Sequence, residues 1–213
     1  MSFISINPAT EEELKSYPPI TKEEALKKVG QAHEAFTRWR NTSLNSRKQT
    51  ILTFAQALRD RKDEFAELIT SEMGKRVEES RAEITFCAEI AEFYANGAET
   101  FLADTPIDVE GADAYIQYAP IGVLLGVMPW NFPFYQVVRF ATPNLMAGNT
   151  VMVKHAGNVP QCAEAIETLF MDAGVTEGGY SNLFIPNEFV SPLLEDKRVR
   201  GVSLTGSERA GVA

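Results

Sequence analysis

The chain has 213 residues, of which 45% are hydrophobic and 23% are charged, as is typical of a globular protein of one or two domains. Its 29 acidic and 20 basic residues give a formal net charge of -9, which argues against a general nucleic-acid surface. Two cysteines without metal or redox spacing, no signal-peptide pattern and no apolar run of about 20 residues predict a soluble cytoplasmic protein.

Residues 1–104 are dominated by helical periodicity. Apolar residues recur three and four positions apart in three segments: residues 21–40, 46–74 and 75–103. Thr21 followed by Glu24 predicts a capping box at the start of the first helix, and Gly74 suits a helix end. We interpret the charged residues of these helices as solvated faces.

The second half of the chain has the hydrophobic patterns of β-strands. Residues 105–119 alternate on either side of Glu110 and Gly111, which predicts a β-hairpin arm. In residues 120–213, helical stretches separate four apolar runs that we interpret as buried parallel strands: residues 121–128, 150–153, 181–185 and 199–205. This pattern predicts an α/β fold, in which N-terminal helices precede a doubly wound, Rossmann-like sheet of order 3-2-1-4. Such sheets bind ligands beyond the carboxyl ends of their strands.

The first predicted strand ends in MPWNFP (128–133). The Asn131 side-chain amide is a neutral hydrogen-bond donor held between two prolines, the kind of group that stabilises a tetrahedral oxyanion. Capping a helix that begins near Pro133 is an alternative, and the two roles are compatible. Arg139, on that helix, is costly to bury alone. We therefore expect Arg139 to reach solvent or to meet an anion, either a nearby carboxylate or the carboxylate of a substrate.

Two other strand ends carry candidate ligand groups, although the chain has no GxGxxG motif. Lys154 directly follows the strand at 150–153, where a basic group can bind ribose hydroxyls and accept a 2′-phosphate; an ordinary surface lysine is the alternative. Thr205 and Glu208 have capping-box spacing, which predicts that Gly206 and Ser207 lie in the first turn of a helix. A phosphate fits such a turn, although a capped helix without a ligand is the alternative.

These features together resemble one protein family. PWNFP (129–133), Lys154 and LTGSERAG (204–211) are similar to the aldehyde dehydrogenase superfamily, and the similarity runs over the whole chain. The stretches PWNFPFYQVVRF and VKHAGNVPQCAEAI most resemble its succinate-semialdehyde dehydrogenase branch. The resemblance implies oxidation of an aldehyde to a carboxylic acid with NAD or NADP. It also implies that Asn131 stabilises the oxyanion of a thiohemiacetal and that Arg139 pairs with the far carboxylate of the substrate.

The resemblance also assigns residues to the cofactor. Those residues are Met128, Pro129, Trp130, Asn131, Lys154, Gly157, Gly206, Ser207 and Glu208. Within this set, the resemblance places Lys154 on the adenosine ribose and the Gly206–Ser207 turn on the pyrophosphate. Gly157 stands where the family often has a glutamate, so both NAD and NADP remain open. The resemblance further implies dimers or tetramers, with residues 105–119 as an assembly arm.

The residues that the family uses as nucleophile and general base are a cysteine and a glutamate that follow the glycine-serine turn. Cys87 and Cys162 lie in predicted helices, and neither fits the nucleophile. His33 and His155 suit helix-face and loop positions better than a metal site. We therefore expect this chain to be the amino-terminal, cofactor-binding part of a longer enzyme and to be inactive alone. A non-catalytic nucleotide-binding or assembly module is the alternative.

Overall fold

The computed structural model describes residues 2–212, in which four helices form the amino-terminal layer. They are α1 (Lys22–Trp39), α2 (Leu44–Asp60), α3 (Lys62–Met73) and α4 (Val77–Phe101). Helix α1 begins with the predicted capping box: Glu24 N donates to Thr21 Oγ1 at 3.1 Å, and Thr21 N donates to Glu24 Oε2 at 2.7 Å. Within residues 2–212, no helix has both the length and the apolar composition that crossing a bilayer requires.

The segment of helical periodicity at residues 46–74 forms two helices, α2 and α3. They meet at Arg61, whose φ of -107° and ψ of 22° lie outside the helical region. The break lets Phe65 and Ile69 of α3 enter the same core as α4. Helix α3 ends as predicted at Gly74, whose φ of +79° is a left-handed conformation that favours glycine.

Two antiparallel hairpins flank the helices. Strands β1 (Phe3–Ile6) and β2 (Glu13–Tyr17) form the first, which the sequence pattern does not predict. The reason is that β2 reads ELKSY and buries only Tyr17, so it lacks the alternation by which a strand is recognised. Strands β3 (Thr105–Ile107) and β4 (Ala114–Ile116) form the predicted arm, with Pro106 opposite Tyr115.

A parallel sheet forms the second half of the structure. Its strands are β5 (Val123–Met128), β6 (Thr150–His155), β7 (Tyr180–Asn182) and β8 (Val199–Leu204). Their order is β7-β6-β5-β8, which confirms the predicted α/β fold and the 3-2-1-4 order. The helices that accompany them are α5 (Tyr135–Ala147), α6 (Pro160–Asp172), α7 (Val190–Leu194) and α8 (Glu208–Val212).

All four strands differ in extent from the prediction: β5 begins two residues later, β8 ends one residue earlier, and β6 and β7 end at other residues than predicted. Strand β6 continues through Lys154 and His155, so these residues belong to the sheet rather than to the loop after it. Strand β7 is shorter than the predicted 181–185, because the chain leaves the ladder and the Phe184 carbonyl instead accepts a hydrogen bond of 3.0 Å from Ile20 N.

Both faces of β5, β6 and β7 are covered, as parallel strands require, whereas β8 leaves Val202 and Leu204 exposed. Val151 and Val153 of β6 face a core built with α2 to α6, whereas Met152 faces a smaller core that includes α1 and Leu125 of β5. Burying each of these side chains contributes about 1.5–3 kcal/mol. The two cores hold the carboxyl ends of β5 and β6 firmly beside each other.

Candidate functional site

Three loops leave the parallel sheet at the carboxyl ends of its strands, and we call this side of the sheet the Val127 edge. At the carboxyl end of β5, Val127 pairs with Lys154 of β6 on one side and with Leu204 of β8 on the other. The Thr205 N–H then donates to the Val127 carbonyl at 3.0 Å. The structure therefore brings together the ends of β5, β6 and β8 and the segments that follow them, which contain the residues singled out in the sequence.

Asn131 lies in the exposed turn between β5 and α5. Its predicted alternative role as the cap of α5 is wrong, because α5 begins at Tyr135 and its first amides are capped by a residue from another helix. Among residues 2–212, no hydrogen bond engages the Asn131 amide, so both of its N–H groups remain available to a ligand. Of the residues before it, Met128 is buried, Pro129 is half-buried and Trp130 is exposed.

Glu83 of α4 is the residue that caps α5. Its Oε1 accepts hydrogen bonds from Phe134 N at 2.9 Å and from Tyr135 N at 3.1 Å, while its Oε2 pairs with Lys75 Nζ. Lys75 Nζ also lies 3.7 Å from the centroid of the Phe132 ring. The interpretation of the helix charges as solvated faces is therefore wrong for Lys75 and Glu83. A contact across 51 residues leaves no local signal, so the sequence pattern predicts neither role.

His155 supports the same turn from the sheet. Ala156 N donates to His155 Nδ1 at 2.8 Å, so the ring proton is on Nε2, which donates to the Pro133 carbonyl at 2.8 Å. Burial, together with the smaller effect of the Lys154 charge, lowers the pKa of His155 to about 4. The predicted loop position of His155 is thus corrected to a buried, neutral residue of β6.

Lys154 is buried, with 9% of its surface exposed, so the alternative of an ordinary surface lysine is wrong. Burial lowers the pKa of Lys154, and no carboxylate within residues 2–212 forms an ion pair with it. The Lys154 Nζ is not among the fully buried polar atoms that lack a partner in the described residues, so it reaches solvent at the strand end, where a ligand can accept its hydrogen bonds. Gly157 is exposed, and an added Cβ would meet the Phe3 ring at 3.4 Å, an ordinary contact, so space does not require glycine there.

Arg139 is exposed on α5 and stacks on an aromatic ring. Its guanidinium carbon lies 5.3 Å from the Tyr135 ring centroid, and its Nη1 is 3.5 Å from the Tyr135 hydroxyl. In the part of the chain that the structure describes, no carboxylate pairs with it, so the alternative of an internal salt bridge is not supported. A cavity of 290 Å³ lies against Arg139, Gln136 and Thr205, and the buried Gln136 Oε1 has no hydrogen-bond partner among the described residues.

The glycine-serine turn differs from the prediction. Helix α8 begins at Glu208, and Ala210 N donates to Ser207 Oγ at 3.3 Å, so Ser207 is the cap. The predicted capping box of Thr205 and Glu208 is wrong, because the Thr205 N–H remains bonded to β5 and the residue belongs to the strand end. Gly206, Ser207 and Glu208 are exposed at the edge where the other two loops emerge.

Neither cysteine has the character of a nucleophile. Cys87 and Cys162 are fully buried and unpaired. Burial raises the pKa of both thiols well above the ordinary value, and the Glu72 carboxylate adds to this effect at Cys162. In the region covered by residues 2–212, no group of three or more His, Cys, Asp or Glu side chains is arranged to bind a metal ion.

Comparison with known proteins gives consistent matches over this whole chain. A probable NADP(+)-linked succinate-semialdehyde dehydrogenase of Synechocystis is 43% identical over 213 residues, which are 100% of this chain and 47% of that protein. The NAD(P)+-linked succinate semialdehyde dehydrogenase of Escherichia coli is 41% identical, over 99% of this chain and 46% of its own length. The chain therefore spans slightly less than half the length of these relatives.

Solved structures agree. The crystal structure of succinic semialdehyde dehydrogenase from Streptococcus pyogenes, in complex with NADP+, superposes with a TM-score of 0.95 at 40% identity. The match covers 98% of this chain and 46% of that one. The sequence model of the aldehyde dehydrogenase family matches residues 1–213. With the βα architecture and the strand-end residues already described, this match shows that the chain belongs to the aldehyde dehydrogenase family.

Proposed function

We propose that this chain is the cofactor-binding part of an enzyme that oxidises succinic semialdehyde to the carboxylic acid with NADP or NAD. The observation that carries the proposal is the edge at Val127, where Lys154, the Asn131 turn and the Gly206–Ser207 turn come together. The relatives are linked to NADP(+) or to NAD(P)+, which supports both cofactors.

The residues at this edge fit a dinucleotide. Lys154 would donate to the adenosine ribose or to a 2′-phosphate, which resolves its lack of a partner. The exposed turn at Gly206 and Ser207 would receive the pyrophosphate, and Met128, Pro129 and Trp130 would line the nicotinamide side, with Gly157 and Glu208 nearby. The cofactor supplies the hydride acceptor when it is bound.

The chemistry at the aldehyde assigns Asn131 as the catalytic residue of this chain. A thiolate that attacks the aldehyde carbonyl converts its oxygen into an oxyanion, and the Asn131 amide would donate a hydrogen bond to that oxygen. The thiolate must come from a cysteine other than Cys87 and Cys162, because both are buried with raised pKa values. Arg139 would bind the distal carboxylate of the substrate, since it is exposed beside the cavity and free of a protein carboxylate within residues 2–212.

Assembly is a further part of the proposal. Strands β3 and β4 hold large apolar side chains in solvent: Ile107, Tyr115 and Ile116 are 46–58% exposed. An exposed apolar arm of this kind suits contact with another copy of the protein. We propose that the arm joins subunits of a homo-oligomer and that the protein resides in the cytoplasm, where its two free thiols stay reduced.

A binding measurement on Lys154 tests the cofactor proposal. NADP+ titrated calorimetrically into the protein should bind, and Lys154→Met should weaken its affinity by about 10-fold to 100-fold, because a charge-assisted hydrogen bond is lost. Lys197→Met is the matched control, since this exposed lysine precedes β8 at the opposite edge of the sheet. Equal affinity for NADP+ in the Lys154→Met variant and the unaltered protein would refute the assignment.

The alternative of a non-catalytic nucleotide-binding module is favoured by the inert character of both cysteines. Steady-state formation of NADPH from succinic semialdehyde distinguishes the two. The 213-residue chain alone should bind NADP+ without turnover under either proposal. A protein in which this chain is joined to a carboxyl-terminal part with a reactive cysteine should turn over only if the enzyme proposal is correct.

A further inference from the structure

The buried charges beside the Asn131 turn have no part in the proposed chemistry. Lys75 and Glu83 form an ion pair in which their side chains are only 8% and 0% exposed. The other ion pairs in the described part of the chain have at least one side chain that is 35% or more exposed. Burying two charges costs desolvation that their attraction rarely exceeds, so stability alone does not explain this pair.

The contacts of the pair are concentrated on the residues that follow Asn131. Lys75 Nζ lies over the Phe132 ring, and Glu83 Oε1 receives the N–H groups of Phe134 and Tyr135. The remaining residue of this segment, Pro133, is held through its carbonyl by His155. Every residue from 132 to 135 is therefore contacted by a side chain from a distant part of the chain, although none of these contacts reaches the Asn131 amide.

The charge on each partner has a separate use. A carboxylate can accept two backbone N–H groups at a helix start more strongly than a neutral group can, and this fixes where α5 begins. The ammonium of Lys75 holds that carboxylate in place and also contacts the ring next to Asn131. The pair thus connects the rigid helix α4 to the backbone that carries the amide.

We propose that Lys75 and Glu83 are positioning residues that set the Asn131 amide for the oxyanion. The inference rests on the proposed function, because it gives Asn131 its role. An oxyanion donor is effective only when it is held in place before the reaction, and a displacement of about 1 Å can cost about 100-fold in rate. The turn after β5 is exposed and has no regular structure, so its position must be imposed from outside it.

Steady-state kinetics of the complete enzyme test the inference through a mutant cycle. The variants are Asn131→Ala, the charge-neutral double variant Lys75→Met/Glu83→Gln, and the triple combination. Asn131→Ala should lower kcat about 100-fold or more. The double variant should lower kcat at least about 10-fold, with KM and NADP+ affinity changed by less than about twofold. Adding the double substitution to Asn131→Ala should lower kcat by less than about a further threefold, because the effect of the double substitution passes through the Asn131 amide.

A merely structural role would give a different result. The double substitution would then lower kcat by the same factor whether or not Asn131 is present, and this additivity would overturn the inference. Arg59→Met/Glu92→Gln is the matched control, since it neutralises a more exposed ion pair between α2 and the same helix α4 and should leave kcat unchanged. Lys75→Arg retains the charge and should restore most of the kcat that Lys75→Met loses. If the double variant does not fold, these two single variants take its place in the cycle.

Failure of the proposed function is recognisable separately. If Asn131→Ala leaves kcat unchanged, the role of Asn131 itself is wrong and the inference falls with it. If Asn131→Ala lowers kcat while the Lys75 and Glu83 variants do not, the proposed function stands and only the positioning role is refuted.

Discussion

The Nε2–H of His155 donates a hydrogen bond of 2.8 Å to the carbonyl of Pro133, two residues after Asn131 in the chain. This bond ties the turn after β5 to the end of β6. The second ring bond requires a neutral imidazole, because Nδ1 accepts the Ala156 N–H and would lose that bond if it were protonated. The charge state of one buried histidine is thereby coupled to the backbone of the candidate site.

The first prediction concerns acid stability. The pKa of His155 is lowered from 6.5 to about 4 by burial, so the unfolded chain binds a proton in this interval that the folded chain does not. The stabilisation by neutral His155 is complete above pH 6.5 and is lost as the pH falls toward 4, by about 3 kcal/mol in total. Urea unfolding of the protein and of His155→Gln at several pH values measures this difference.

Comparing the unaltered protein with His155→Gln separates the effect of His155 on stability from that of the buried carboxylates, which both proteins contain. The free energy of unfolding of the protein relative to His155→Gln should decrease between pH 6.5 and 4. His33→Gln, on the exposed surface of α1, is the matched control and should keep the pH dependence of the unaltered protein. A His155→Gln difference that stays constant across this pH range would contradict the prediction.

The second prediction concerns the substrate carboxylate. Arg139→Ala should raise KM for succinic semialdehyde about 10-fold to 100-fold, because a charged hydrogen bond is lost. It should raise KM for an uncharged aldehyde of similar length by less than about twofold. Initial-rate kinetics of the complete enzyme with both aldehydes measure the ratio, and equal increases for the two would remove Arg139 from the substrate site.

The third prediction concerns a second buried carboxylate. Glu72 of α3 accepts hydrogen bonds from Gln161 N at 2.8 Å and from Cys162 N at 2.9 Å, and so caps α6 as Glu83 caps α5. Glu72→Ala leaves both amides without a partner and should lower the free energy of unfolding by about 1–3 kcal/mol. Urea denaturation measures this loss, with Glu67→Ala on the exposed face of α3 as the control. A loss no larger than that of the control would show that the cap is dispensable.

The sequence predicts those parts of the molecule that local patterns determine. Short apolar runs separated by helical periodicity identify the parallel sheet, and Thr21 with Glu24 identifies the start of α1. These signals come from residues within one element or one turn of each other. The motifs at three strand ends could be placed along one edge because parallel strands share the direction of their carboxyl ends.

The residues that hold the candidate site in place cannot be identified from such local patterns. Glu83 meets Phe134 across 51 residues and Glu72 meets Gln161 across 89, so each reads in sequence as one more acidic residue of an amphipathic helix. His155 reads as a loop residue because β6 continues two positions beyond its apolar run. Thr205 has the spacing of a cap, yet its N–H is already bonded to β5. In each of these cases a tertiary hydrogen bond decides the outcome.

A crystal structure of the protein with NADP+ is the most direct test of the proposal that one edge of the sheet holds the cofactor. We expect Lys154 Nζ within hydrogen-bond distance of the adenosine ribose or its 2′-phosphate, the pyrophosphate at Gly206 and Ser207, and the nicotinamide on the side of Asn131. A dinucleotide bound away from the Val127 edge, with Lys154 still without a partner, would contradict the proposal.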